Sequence, residues 1–143
     1  MTRIDFYVLK PGARGDRLDL TCRLVQRIHD QQQLRILLHC PEPRLARDLD
    51  RRLWTFRDDS FLPHGLVGET DPTLTPILIS SDGEPANEQQ VLINLGLEVP
   101  TFFARFARLC EPLDQDPTVL AAGRRRYACY REQGLPLASH QVG

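Results

Sequence analysis

Short apolar runs alternate along this chain with amphipathic stretches three to four turns long, and that order constrains the fold more than any other feature. Residues 3–9 (RIDFYVL) alternate as a strand does, with Ile4, Phe6 and Val8 set against Asp5 and Tyr7. A loop follows at residues 10–15 (KPGARG), broken by Pro11, Gly12 and Gly15. Asp16 then caps a helix running to about residue 31, whose Leu18, Cys22, Leu24, Val25 and Ile28 fall on one side. Residues 34–40 (LRILLHC) read as a buried strand, and Pro43–Thr55 as a second helix with Leu45, Ala46, Leu49 and Leu53 as its stripe. Residues 56–75 show no period. Two further strands, at residues 76–80 (PILIS) and 91–95 (VLINL), flank a polar turn at residues 81–87. One helical turn is expected within residues 102–108, then a strand at 109–113. A last helix starts at Asp116 or Thr118 and stops near Gly134. The tail LPLASHQVG has little reason to be ordered by itself.

Strand–helix–strand–helix–strand order predicts an α/β fold, a mostly parallel central sheet with helices on both faces. At 143 residues the chain is long enough for one core, and it carries no repeat, low-complexity tract or linker, so residues 1–143 are expected to form a single domain. No apolar run approaches the ~18 residues of a membrane span. The first residues lack a basic segment followed by an apolar one, so a cytoplasmic location is expected. A net charge of −1 argues against a general nucleic-acid coat and leaves room for a local basic patch.

The chemistry-bearing residues do not assemble into a catalytic set. Cys22, Cys40, Cys110 and Cys129 form no CxxC pair, which favours buried free thiols in a reducing compartment. His29, His39, His64 and His140 sit at no metal-ligand spacing; His39 and Cys40 are adjacent, and strand neighbours point to opposite faces. Neither GxSxG nor HExxH occurs, and Asp48, Asp50, Asp58 and Asp59 read as solvated acids. The loop KPGARGD lies between strand and helix, where open α/β sheets hold phosphates, yet it matches neither GxGxxG nor a Walker loop. No enzyme, cofactor or metal is expected from these residues.

Two features stand above that background. On the second helix Leu45, Leu49 and Leu53 lie within about 80° of arc, and Trp54 falls about 100° beyond Leu53. Phe61, Leu62, Leu66 and Val67 follow in a stretch broken by Pro63 and Gly65. They form either a loop tucked over the sheet edge or an apolar docking patch anchored by Trp54 and Phe61. The last helix places Arg124, Tyr127 and Arg131 on one face with Leu120, while Arg125 and Arg126 point elsewhere. That face suits an acidic peptide carrying an apolar residue, or a phosphate backbone; it also suits a solvated helix end whose cations complement the dipole.

Several ordered motifs resemble one family along nearly the whole chain. They are FYVL at residues 6–9, LDRRLW at 49–54, SFLPHGLVGE at 60–69 in the frame SF-x-PH-x-L-x-GE, VLINL at 91–95, and RRRYACYREQG at 124–134 in the frame R-x-RY-x-x-YR-x-x-G. The chain resembles the chi subunits of the bacterial DNA polymerase III holoenzyme. The resemblance implies a fold that is Rossmann-like but without a nucleotide site, in a non-catalytic replication accessory protein of the cytoplasm. It implies a psi subunit docked on Trp54, Phe61, Pro63 and Leu66, with a helicase-related partner at the same surface. It also implies that Arg124, Tyr127, Arg131 and Leu120 hold the acidic, Phe-terminated tail of single-stranded-DNA-binding protein, so that contact with nucleic acid is mainly indirect. Two positions depart from the family pattern: Ala128 stands where a lysine is expected, and Arg125 where an acid is expected.

Overall fold

The structure, a computed structural model, describes residues 1–56, 62–71, 74–81 and 90–143. Its elements run β1 (Arg3–Leu9), α1 (Arg17–Gln32), β2 (Ile36–His39), α2 (Pro43–Thr55), β3 (His64–Leu66), β4 (Ile77–Ser80), β5 (Val91–Asn94), a 3-10 turn (Phe103–Arg105), β6 (Arg108–Leu113), α3 (Pro117–Glu132) and β7 (Leu137–Val142). The strands form one sheet in the order β3-β4-β2-β5-β6-β1-β7, and every pairing is parallel rather than most of them. The central strands are unbroken apolar runs because both of their faces are buried: Ile77, Leu78 and Ile79 on β4 and Val91, Leu92 and Ile93 on β5 are all essentially inaccessible.

Alternation along the strands divides the core into two layers. Ile36, Leu38, Ile77, Ile79, Val91, Ile93 and Cys110 pack with Leu18, Cys22, Val25 and Ile28 of α1 and Leu49 and Leu53 of α2. Ile4, Phe6, Leu37, Leu78, Leu92 and Leu109 pack on the other side with Phe103, Phe106 and Tyr130. The expected two-sided cover is therefore present, with α1 and α2 over one face and α3 with the 3-10 turn over the other. No helix among the described residues is long and apolar enough to cross a membrane.

Local chemistry explains where the helices start. Asp16 accepts from the Asp19 backbone N–H at 3.1 Å, and Asp19 accepts from that of Asp16 at 3.0 Å, a reciprocal cap. Gly15, at φ +83°, is the residue that lets this cap close: a Cβ there would come within 2.7 Å of Asp19 Oδ2. Arg52 of α2 reaches both carboxylates, at 2.7 and 3.3 Å, and ties the two helices together. On α3, Asp116 accepts from the backbone of Thr118 and Val119, and Pro117 opens the first turn. Gly123 lets α3 approach β6, since a Cβ would meet Leu113 Cδ1 at 2.5 Å.

Two segments differ from the sequence-based expectation. The tail is ordered: β7 pairs in register with β1, from Ile4 opposite Leu137 to Leu9 opposite Val142. The free edge of β1 supplies the backbone partners, and His140 stacks on Tyr7 at 5.0 Å while its Nε2 lies 3.1 Å from Asp5 Oδ1. A tail judged alone has no reason to be ordered, but a tail beside an unpaired parallel edge does. Within the stretch without period, residues 64–66 form the edge strand β3, too short at three residues to show alternation. The polar turn expected at residues 81–87 lies, after Ser81, outside the described residues.

Candidate functional site: two exposed faces and a buried ion pair

On α3 the arginine run splits. Arg124, Arg125 and Arg131 are exposed, whereas Arg126 is 3% exposed. Arg124 and Arg131 are seven residues apart on one face, about 10 Å along the axis. Tyr127 lies between them, half-buried, with its ring edge-on to Phe6 at 5.2 Å. Leu120 is also half-buried and rests on the α3-side core, as do Val8, Leu135 and Leu137. The four residues grouped from sequence thus occupy one face, with its apolar members forming the base and its cations standing in solvent.

Arg126 turns inward, and its role was missed by sequence reasoning. Its Nη2 and Nε donate to Glu111 at 3.0 and 3.1 Å, and its Nη1 donates to the Leu97 carbonyl at 2.8 Å. Tyr130 OH donates to Glu111 at 2.7 Å, and Asn94 Nδ2 lies 3.2 Å from both carboxylate oxygens. Burial pushes the Glu111 carboxyl up, opposed by Arg126, Tyr130 and Asn94; burial also pushes the Tyr130 hydroxyl up. A signal existed in the sequence. On β6, Glu111 shares parity with Leu109 and Leu113, so an inward acid had to find a cationic partner.

At the end of α2, Trp54 is 52% exposed beside fully buried Leu49 and Leu53, which agrees with its angle on the helical wheel. Its ring sits 4.5 Å from that of buried His64. The His64 ring is fixed between carbonyl oxygens, Nδ1 at 2.6 Å from Leu62 and Nε2 at 3.1 Å from Asp50. Pro63 and Leu66 are half-buried, and Leu66 packs on the core. Trp54, Pro63, His64 and Leu66 therefore lie where α2 meets β3, while Phe61 lies outside the described residues. Trp54 and the Arg124 face belong to helices on opposite sides of the sheet.

A third cluster joins β1, β6 and β7. Asp5 Oδ2 accepts from Arg3 Nε at 3.0 Å and Arg108 Nε at 3.2 Å, and Arg108 also reaches Tyr7 OH. Burial alone would raise the Asp5 carboxyl; the hydrogen bond to His140 and the neighbouring guanidinium groups outweigh it and hold the carboxyl below its ordinary value. Among the described residues no three His, Cys, Asp or Glu side chains gather as a metal site.

Comparison with known proteins places this architecture. In shape the chain is similar to the C-terminal domain of the DEAD-box protein Dbp5, with a TM-score of 0.66 at 10% identity over 98% of this chain and 90% of that one. It is also similar to domain 2 of the DEAD-box helicase Mss116p, with a TM-score of 0.61 at 10% identity over 98% of this chain and 64% of that one. At that identity the likeness concerns the fold. In sequence the chain is 37% identical to DNA polymerase III subunit chi of Pseudomonas aeruginosa, over 99% of this chain and 98% of the relative. It is 31% identical to the subunit of that name from Haemophilus influenzae, over 96% of each, and 27% identical to that from Escherichia coli, over 96% of each. Residues 1–138 match the family described as DNA polymerase III chi subunit, HolC, and the chain belongs to that family.

Proposed function

We propose that this replication accessory subunit is a non-catalytic linker in the cytoplasm. One face holds the acidic tail of single-stranded-DNA-binding protein, and another docks a psi subunit that ties it to the clamp loader. The observation that carries the reading is the α3 face: two exposed guanidinium groups about 10 Å apart over half-buried Tyr127 and Leu120. Carboxylates of an acidic tail meet the cations, and an apolar terminal residue rests on the aromatic and aliphatic base. Trp54 supports the second contact, because a half-exposed indole beside a fixed His64 ring is the kind of anchor that protein interfaces use. Tethering through both faces raises the local concentration of clamp loader at coated single strands without any transfer of a chemical group.

The test is calorimetry with an acidic peptide ending in Phe at two salt concentrations. Hydrogen bonds to charged groups are worth about 1.5–3 kcal/mol before screening, so Arg124→Ala reduces affinity by about tenfold. Arg125→Ala, about 100° away, costs less, and raised salt weakens the wild type more than Arg124→Ala. Equal losses at Arg124 and Arg125 with no salt dependence would rule out a face-specific ionic site. Psi binding persists in both variants and weakens in Trp54→Ala.

A further inference from the structure

The carboxyl ends of β2 and β5 open into a cavity of about 780 Å³. This is a point where the chain direction across the sheet reverses: β2 leads through α2 to β3 and β4 on one side, and β5 leads to β6 on the other. Open α/β sheets bind ligands at such crevices. The walls are mainly apolar, built by Pro41, Leu45, Leu95, Val99, Pro100 and Phe102. The volume lies within the range of small-molecule pockets, roughly 300–1,000 Å³.

Two buried nitrogens with no hydrogen-bond partner among the described residues belong to residues lining this cavity, Arg17 Nη1 and His39 Nδ1. Arg17 is only 9% exposed. Its backbone N–H donates to Asp114 at 3.0 Å, but its buried Nη1 has no acceptor among the described residues. A buried charged donor without an acceptor is costly, and native structures rarely retain one without a use. The far wall is held in place. Asn94 Oδ1 accepts from the Gly96 N–H at 2.9 Å, Arg126 donates to the Leu97 carbonyl, and Asn94 Nδ2 donates to the Glu98 carbonyl at 3.2 Å. The buried Glu111 network thus sets the shape of the pocket.

The charge balance selects the ligand class. Glu42 and Glu98 also line the cavity, against the single guanidinium of Arg17. Those two carboxylates are exposed and Arg17 is buried, so the charge a ligand meets at depth is the guanidinium, which suits a single negative charge on an apolar body, while the outer carboxylates oppose the further charges of a polyphosphate. We propose that this cavity binds a small organic monoanion, an aromatic or aliphatic body bearing one carboxylate or sulfonate, with the Arg17 guanidinium donating to the anion. His39 lines the same cavity and supplies a second polar contact as a neutral imidazole. Burial lowers the His39 imidazole below its ordinary value, which favours that neutral form, and its ring is braced edge-on by Phe102 at 5.2 Å.

The probe is 8-anilinonaphthalene-1-sulfonate, titrated into the full chain and followed by fluorescence, with circular dichroism to verify that the chain stays folded. Saturable one-to-one binding is expected, with 2-naphthoate displacing the probe about tenfold better than neutral 2-naphthamide. Arg17→Met keeps the side-chain stem, removes the charge and weakens the probe about tenfold, with the melting temperature unchanged or raised. Val99→Trp fills the cavity and abolishes binding. If both variants bind the probe as wild type does, or naphthamide competes as well as naphthoate, the site is refuted. Displacement by magnesium ATP in preference to naphthoate would overturn the monoanion assignment. Arg17-dependent displacement by an acidic peptide ending in Phe would overturn the small-ligand assignment.

Discussion

Replacing Arg126 by Met should destabilise the chain far more than replacing any neighbouring arginine. Arg126 is 3% exposed and Glu111 is fully buried, so the substitution leaves a carboxylate in the interior with only Tyr130 and Asn94 as donors among the described residues. It deletes two charge-assisted hydrogen bonds to Glu111 and the one to the Leu97 carbonyl. Breaking a buried pair from one side costs about 3–5 kcal/mol. For a chain of this size each kcal/mol lowers the melting temperature by about 2–4 °C, so the loss is about 6–20 °C. Arg124→Ala and Arg125→Ala, both in solvent, should stay within about 0.5 kcal/mol of wild type. Adding Glu111→Gln to Arg126→Met should recover part of the loss, because a neutral amide is cheaper to bury than an uncompensated carboxylate. Thermal and urea denaturation of these four variants, of Glu111→Gln alone and of wild type give the comparison, with equal m-values confirming a common unfolded state. An Arg126→Met variant melting within about 2 °C of wild type, or a double variant less stable than the single by the full cost of Glu111→Gln alone, would refute the argument.

Three further outcomes follow from the geometry. Asp5 is held below its ordinary value of 3.8, so its contribution is present above that pH and is lost as pH falls through the folded-state value. The stability gap between wild type and Asp5→Asn, measured by urea denaturation from pH 7 to pH 2.5, should therefore shrink on acidification, and a gap that widened would contradict the sign. Burial pushes the Cys22, Cys40 and Cys110 thiols up to about 12, so in the native chain only half-buried Cys129 should react rapidly with an aromatic disulfide reagent, and rapid release of four equivalents would oppose this. Leu53→Ala should cost about 2–5 kcal/mol while Trp54→Ala, half in solvent, costs clearly less; similar losses in chemical denaturation would mean that the indole is structural.

What could be read from the sequence depended on how each element is buried. β2, β4 and β5 are covered on both faces, so they appear as unbroken apolar runs. α1 and α2 bury one stripe each, and the wheel angle that set Trp54 at the edge of the Leu49–Leu53 stripe or outside it agrees with its half-exposed state. β7 escaped because its LASHQV sequence is polar and its order comes from β1, over 130 residues away. The inner side of α3 escaped for another reason: it is built from Arg126 and Tyr130, which look like surface residues until Glu111 is placed opposite them. The α3 face was legible because 100° per residue is enough to group Arg124, Tyr127 and Arg131. The cavity was not, since its walls come mainly from the loop after β5 and from the turn joining β2 to α2, neither of which carries a recognisable motif.

The placement of β1 has a consequence for how the chain is made. Both of its neighbours come late: β6 begins at Arg108 and β7 at Leu137. At a synthesis rate of about 5–20 residues per second, β1 waits on the order of 5–20 s on the ribosome before its first partner strand exists. Meanwhile β2, β3, β4 and β5 are already able to pair among themselves. Translated ahead of both strands it pairs with, β1 is thus incorporated late, and its Ile4 and Phe6 stay without their native cover until β6, α3 and β7 have been made.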